Sequence, residues 1–297
     1  MRRPHVYTTD AIILKRMDYG EADRILTLFT PGRGKIRAIA KGARRTTSRI
    51  AGHVELFTRS QLQLSVGRDL EIITQGESRE QFPHLRTELW HATTAYYLAE
   101  LIDKFTEEHN EYEDLYALLI ESLRRLNDDA AHTARHAQNG HNGALAVHES
   151  PAASVYLADE TEASPSSNGH TPAYRSRAWQ LLRYFEIQML DDLGYRPSLH
   201  ECAACGATLQ PVENGFNATL GGVLCPNCAR FSQRPVSLAS LKVLRLLQTT
   251  PWEQIPRLRL DSNQQNEIEH LLQALIRFHL ERDLKSWDFL RHIQPVQ

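Results

Sequence analysis

Residues 34–42 read Gly34-Lys35-Ile36-Arg37-Ala38-Ile39-Ala40-Lys41-Gly42. In an extended strand a period of two puts Ile36, Ala38 and Ala40 on one face and Lys35, Arg37 and Lys41 on the other, with Ile39 breaking the pattern. Such a strand is apolar inside and basic outside. Working outward from it, short β-rich runs occupy Ala11 to Leu14, Ile25 to Phe29, Leu62 to Val66 and Leu70 to Thr74, separated by Tyr19-Gly20, Pro31-Gly32-Arg33-Gly34, Gly42 and Gly67. Five short strands in about 80 residues, with one longer connection from Gly42 to Gly52, suit a small closed barrel of the OB type better than a sandwich of seven or more strands. An SH3-like barrel would look similar.

The strand lies in a basic run. Arg24, Arg33, Lys35, Arg37, Lys41, Arg44, Arg45 and Arg49 follow one another with no acidic residue before Glu55. Such a run can be an ordinary solvated face, but like charges in one place repel, and a polyanion relieves that repulsion. These eight residues are the candidate nucleic-acid contacts. The bias is hidden in the whole-chain net charge of −2. Residues 1–80 hold 15 Lys+Arg against 9 Asp+Glu, a net of +6, and residues 81–297 hold 19 against 27, a net of −8.

From Leu85 the apolar period becomes helical. Trp90, Tyr97, Leu101 and Phe105 form one stripe, and Tyr112, Leu115, Tyr116, Leu119, Leu123 and Leu126 a second. Trp179, Leu182, Phe185, Met189 and Leu193 form a third, stopped by Gly194-Tyr195-Arg196-Pro197; Ile268, Leu271, Leu272, Leu275, Ile276 and Leu280 form a fourth, entered through Asp261-Ser262-Asn263. All four read as packed core, and His279 as a core or edge histidine. Residues 128–175 lose the pattern and are rich in Ala, His, Asn, Ser, Pro and Thr, which predicts a disordered insertion. Its histidines His132, His136, His141, His148 and His170 are irregularly spaced, and no chemistry is assigned to them.

All four cysteines fall in two CxxC pairs, Cys202-Ala203-Ala204-Cys205 and Cys225-Pro226-Asn227-Cys228. The spacing is that of a zinc ribbon or knuckle, two thiolate turns closing around one tetrahedral ion. Four thiolates leave no open position, so the predicted Zn2+ is structural. A thioredoxin-type pair lacks its βαβ surroundings, and a deaminase site would need proline where Leu224 stands. Gly34-Lys35 is no phosphate loop, since Phe29 and Ile36 occupy positions that need Gly and Ser or Thr. No GxSxG or HExxH motif is present, and Asp191-Asp192 and Glu107-Glu108 read as solvated helix faces. The expected fold class is α+β: an N-terminal five-stranded OB-fold barrel over 1–80, then an α-helical domain over 81–297 with an inserted four-cysteine zinc module at 198–235. No apolar run approaches the ~20 residues that span a bilayer, and no apolar signal core follows Met1-Arg2-Arg3-Pro4-His5, so no membrane and a cytoplasmic location are expected.

Several motifs in order resemble one family. Gly20-Glu21-Ala22-Asp23-Arg24-Ile25-Leu26-Thr27-Leu28-Phe29-Thr30, Gly34-Lys35 and Ala40-Lys41-Gly42-Ala43-Arg44-Arg45 are similar to the amino-terminal domain of the RecO recombination mediators. The likeness continues through Leu193-Gly194-Tyr195-Arg196-Pro197, Cys202 to Gly206, Gly221-Gly222-Val223-Leu224-Cys225 and Leu284-Lys285-Ser286-Trp287-Asp288-Phe289-Leu290. It spans the chain except for 128–175, which is longer than a family helix connection. The resemblance implies a non-catalytic protein that binds single- and double-stranded DNA in the nucleoid. It further implies annealing of strands coated with single-strand binding protein and, with RecR, promotion of RecA loading. Two other classes compete. One is an interaction adaptor whose acidic helical domain docks proteins; the other is a zinc enzyme, which would need an open metal position.

Overall fold

A computed structural model describes residues 6–142 and 173–293. Strands β1 (Val6–Tyr19), β2 (Asp23–Thr30), β3 (Gly34–Ala40), β4 (Arg59–Ser65) and β5 (Glu71–Glu80) close a barrel in the order β1-β2-β3-β5-β4. All neighbours are antiparallel except β3 and β5. The predicted five-stranded OB barrel is thus present. Ile36, Ala38 and Ala40 are buried inside it with Ala11, Ile13, Leu26, Leu28, Leu62, Leu64 and Ile73, as the period of two requires. β1 is much longer than its apolar core because its later residues, after an irregularity between Ile13 and Lys15, continue the ladder with β2.

The helical part comprises α1 (Leu89–Phe105), α2 (Glu113–Asn142), α3 (Ala173–Asp192), α4 (Leu238–Thr249), α5 (Ser262–Leu280) and α6 (Lys285–Ile293). The four apolar stripes fall on α1, α2, α3 and α5, with Tyr112 just before α2 and Leu193 just after α3, and they pack into one core in which Phe105, Tyr112, Leu193 and Leu280 are partly buried. Asp261 caps α5 through the N–H of Gln264 at 2.8 Å, and the Gln264 amide oxygen accepts in return from the N–H of Asp261. Gly194 follows α3 at φ +79, the left-handed stop that glycine supplies. Between α3 and α4 a small sheet of β6 (Asn214–Asn217), β7 (Gly222–Leu224) and β8 (Arg234–Val236) is ordered β7-β6-β8. Its Phe216, Val223, Leu224 and Val236 belong to the helical core.

The expected disordered stretch from residue 128 is corrected at its start. α2 continues to Asn142 because an alanine-rich sequence needs no large apolar stripe to be helical, and Ala130 and Ala131 are buried where α2 packs on α3. Residues 143–172, with His148 and His170, lie outside the described residues.

The core of the helical part also takes in Ile12, Leu14, Phe29 and Phe57 from the outer wall of the barrel. The two parts are therefore packed together. Gly34 shows how close that packing is. At φ +54 it lies against the α1–α2 connection, where a Cβ would sit 2.1 Å from the carbonyl oxygen of Asn110. The N–H groups of His109 and Tyr112 donate to the carbonyls of Lys35 and Pro31 at 3.3 and 3.1 Å.

Candidate nucleic-acid interface and metal centre

The outward face of β3 has two fates. At its start the barrel wall is covered: Lys35 is only 15% exposed, and its Nζ donates to the carbonyl oxygens of Asp103 (2.6 Å) and Thr106 (2.8 Å) at the end of α1. The side chain points out of the barrel, as the alternation predicts, but what lies outside is the helical domain. Lys15 reaches the same corner, 2.6 Å from Asp103. Burial alone would raise the Asp103 carboxyl, but Lys15, Lys35 and Lys104 outweigh it and hold it below the usual carboxylate range.

Further along, the wall is open. Arg37 and Lys41 are exposed on the outer side of β3 and its end, and Arg44, Arg45 and Arg49 are exposed in the loop that follows. Arg37, Lys41, Arg45 and Arg49 have no carboxylate partner among the described residues. The loop is positioned from below. Gly42, at φ +65, donates its N–H to the Asp23 carboxylate at 2.7 Å, Ala43 is buried as a plug, and the N–H of Arg44 donates to the carbonyl of Ala22 at 2.8 Å. Alongside runs an outward row formed by cross-strand pairs Met17–Ile25, Ile25–Ile39 and Ile39–Ile72. Ile39, the residue that broke the alternation, is one member of that row.

Arg24 and Arg33 are engaged within the barrel. Arg24 is 18% exposed and bonds Glu55 at 2.8 Å and Asp18 at 3.3 Å; Arg16 shares Glu55. Arg44 also approaches Asp18, at 3.3 Å, and remains exposed. The Arg33 guanidinium lies 3.8 Å from the ring centroid of Tyr7, whose hydroxyl donates to the Glu71 carboxylate. The structure thus brings five of the eight sequence-predicted contacts to the open surface, Arg37, Lys41, Arg44, Arg45 and Arg49, and ties Arg24, Arg33 and Lys35 to other groups. The counter-charges Glu55 and Asp18 carried no local sequence signal.

The second centre is built by β7 and the turns around it. The Sγ atoms of Cys202, Cys205, Cys225 and Cys228 all lie within 4.8 Å of one another, with Cys205 and Cys225 3.8 Å apart. A tetrahedron with metal–sulfur bonds of about 2.3 Å has sulfur–sulfur edges of about 3.8 Å, so four thiolates in this arrangement fit one such ion. The turns are fixed by backbone bonds. Cys202 donates to Ala207 (2.8 Å), Gly206 to Cys202 (2.8 Å), Ala203 to Val223 (2.9 Å) and Cys228 to Cys225 (2.9 Å). The N–H of Cys225 donates to the Cys202 sulfur at 3.3 Å. Burial opposes ionisation of Cys202, but the N–H groups of Cys225, Ala204 and Cys205 prevail and lower its thiol to about 6. Burial, and then hydrogen bonding with the Cys205, Cys225 and Cys202 sulfurs, push the Cys228 thiol up to about 12. Cys202 and Cys225 are buried in the helical core, while Cys205 is exposed.

Comparison with known proteins gives one family for both parts of the chain. The family description "Recombination protein O N terminal" matches residues 1–82, and "Recombination protein O C terminal" matches 86–138 and 173–288. The chain belongs to the RecO family. A DNA repair protein RecO of Roseiflexus sp. is 40% identical over 296 residues, covering 99% of this chain and 88% of that protein. Relatives of the same name in Dehalococcoides mccartyi (34% identical; 96% of this chain, 95% of the relative) and Symbiobacterium thermophilum (31%; 98% and 99%) are similar over their lengths. With this RecO family the chain shares a role in DNA repair and recombination. The gap between the two C-terminal matches, 139–172, overlaps the stretch that composition set apart. Both the basic β3 and the four cysteines lie in matched RecO segments. Among the described residues no helix is long and apolar enough to cross a membrane.

Proposed function

We propose that the chain is a non-catalytic mediator that binds single- and double-stranded DNA on the open part of the barrel wall and anneals complementary strands. The observation that supports this most is the group Arg37, Lys41, Arg45 and Arg49, exposed on β3 and its loop without carboxylate partners among the described residues. In OB barrels the face around strands two and three is where oligonucleotides lie. Guanidinium and ammonium groups there track phosphates and lower the repulsion between two strands. The neighbouring Met17, Ile25, Ile39 and Ile72 row is aliphatic, so contacts to bases add little sequence preference. Arg24, Arg33 and Lys35 serve in this reading to hold the platform rather than the strand.

The four thiolates suit Zn2+. Cys202, Cys205, Cys225 and Cys228 would fill its coordination sphere, and its role is to fasten the small sheet to the helical core. Single-strand binding protein and RecR are the expected partners, with RecA loading downstream and the nucleoid as the working location. The acidic helical domain is the surface left for those proteins.

The test is annealing of complementary strands precoated with single-strand binding protein, without nucleotide. Intact protein should accelerate annealing, and the double substitution Arg37→Ala and Lys41→Ala should remove most of the acceleration. No acceleration by intact, folded protein would overturn the reading and favour the adaptor.

A further inference from the structure

A cavity of about 420 Å³ opens where β8, α5 and α6 meet, in the part of the chain whose net charge is negative. Arg234 from β8, His270 and Arg277 from α5 and Arg291 from α6 all line it, and no carboxylate does. Of these four, Arg277 alone has an ion-pair partner among the described residues, Asp283 at 3.0 Å, and both members of that pair are exposed. The floor is built and buried. Gln273 is 6% exposed and donates from Nε2 to the Tyr97 hydroxyl at 2.6 Å and to Glu186 Oε1 at 3.1 Å, so its amide is held in one orientation. Trp287 beside it is 3% exposed, and the Arg183 guanidinium lies 5.3 Å from its ring centroid on the far side from solvent. Phe278 lines the same cavity and is 43% exposed.

Arg234 and Arg291, without carboxylate partners among the described residues, and Arg277, whose Asp283 partner is exposed, come from three elements to line one concavity, and a bound anion would relieve the repulsion among them. Their arrangement is unlike that of the barrel, where the cations follow one strand and its loop. A row suits a strand that runs past; a convergent pocket suits one compact, highly charged group. A phosphomonoester carries roughly −1.5 to −2 charge and three acceptor oxygens at neutral pH, against the single charge of a phosphodiester, and arginine forks match its geometry. An exposed phenylalanine beside the cations offers a face on which a base can stack.

We propose that this pocket binds a nucleotide phosphomonoester, with the phosphate among Arg234, Arg277 and Arg291 and the base against Phe278. That chemistry has two sources, a free mononucleotide and the 5′-phosphorylated end of a DNA strand, and the choice of the strand end rests on the DNA-repair reading above. The pocket is separate from the barrel face, so its failure and that of the barrel are distinguishable.

Fluorescence anisotropy of the full-length protein with one short single strand, bearing either a 5′-phosphate or a 5′-hydroxyl, tests it. The phosphorylated strand should bind about tenfold more tightly, the scale of one added charged hydrogen bond. Arg234→Ala and Arg291→Ala should abolish that preference; Arg291→Lys, which keeps the charge and loses the fork, should abolish part of it. Both arginines are exposed, and an unchanged melting temperature and zinc content confirm the fold. Arg37→Ala with Lys41→Ala should weaken both strands and keep the preference. Competition by deoxyadenosine monophosphate identifies the free nucleotide as a ligand; preference without such competition identifies the strand end. Equal affinity for the two strands together with no mononucleotide binding overturns the proposal. So does a preference that survives the Arg234 and Arg291 substitutions, or a pocket that takes an acidic peptide and neither phosphate ligand.

Discussion

Lys35 and Arg37 are two residues apart on the same outer face of one strand, yet they have opposite surroundings. Lys35 closes the end of α1 through two carbonyl oxygens and faces Asp103, whereas Arg37 faces solvent. Lys35→Ala should therefore cost about 2 kcal/mol of stability, the scale of a lost charged hydrogen bond, with little direct effect on DNA affinity. Arg37→Ala should leave the unfolding midpoint unchanged and weaken binding to every sequence alike. Urea unfolding and strand binding on the two variants separate the roles, and a reversed pattern would place the interface elsewhere. The same corner makes a pH prediction. Asp103 titrates below its unfolded value of about 3.9, so its contribution is complete above that pH and disappears as pH falls through the lowered value. The stability advantage of the natural protein over Asp103→Asn should be constant from about pH 7 to 5 and shrink below about pH 4 in urea titrations. An advantage that persists unchanged at pH 2 would rule out the ion cluster as its source.

At the scale of elements, what was legible in the sequence depended on whether its signal was local. The alternation in Lys35 to Lys41 placed Ile36, Ala38 and Ala40 inside correctly because a strand's two faces are a property of the strand alone. Which outward residues meet water is not local. Lys35 is covered by a helix end some 70 residues later, and Arg24 by Glu55, 31 residues away. The cysteine spacing was legible for the opposite reason, since each CxxC turn brings its own two sulfurs together and only the closing of the two pairs is long-range. α4 and α6 lie outside the four apolar stripes. α4 does carry a signal: Ser237 caps it by accepting from Ser240 N–H at 3.2 Å, and Leu241, Leu244 and Leu247 are spaced three apart and buried. The far end of α2 departs from the expected disorder because low hydrophobicity there comes with alanine, which both favours helix and packs closely. For the metal centre the expected behaviour is structural. Cys205→Ser should lower bound zinc and the melting temperature first, with DNA binding lost only as the protein unfolds. Zinc content measured beside binding checks this, and selective loss of binding in a folded variant would mean that the small sheet itself touches DNA.

On the scale of the whole molecule, the net charge of −2 is the sum of a basic barrel and an acidic helical part joined through Ile12, Leu14, Phe29 and Phe57. Because the barrel wall near Lys35 is covered by that packing, the cations left for a polyanion are concentrated on Arg37, Lys41 and the following loop. The central claim is that this patch carries the strand. The most direct measurement is single-strand affinity against salt concentration, for the natural protein and for Arg37→Ala with Lys41→Ala. If about five phosphates are neutralised, log affinity should fall against log salt with a slope of about −3.5, easing to about −2 in the double variant. A slope near zero, or one that the double substitution leaves unchanged, would contradict that claim.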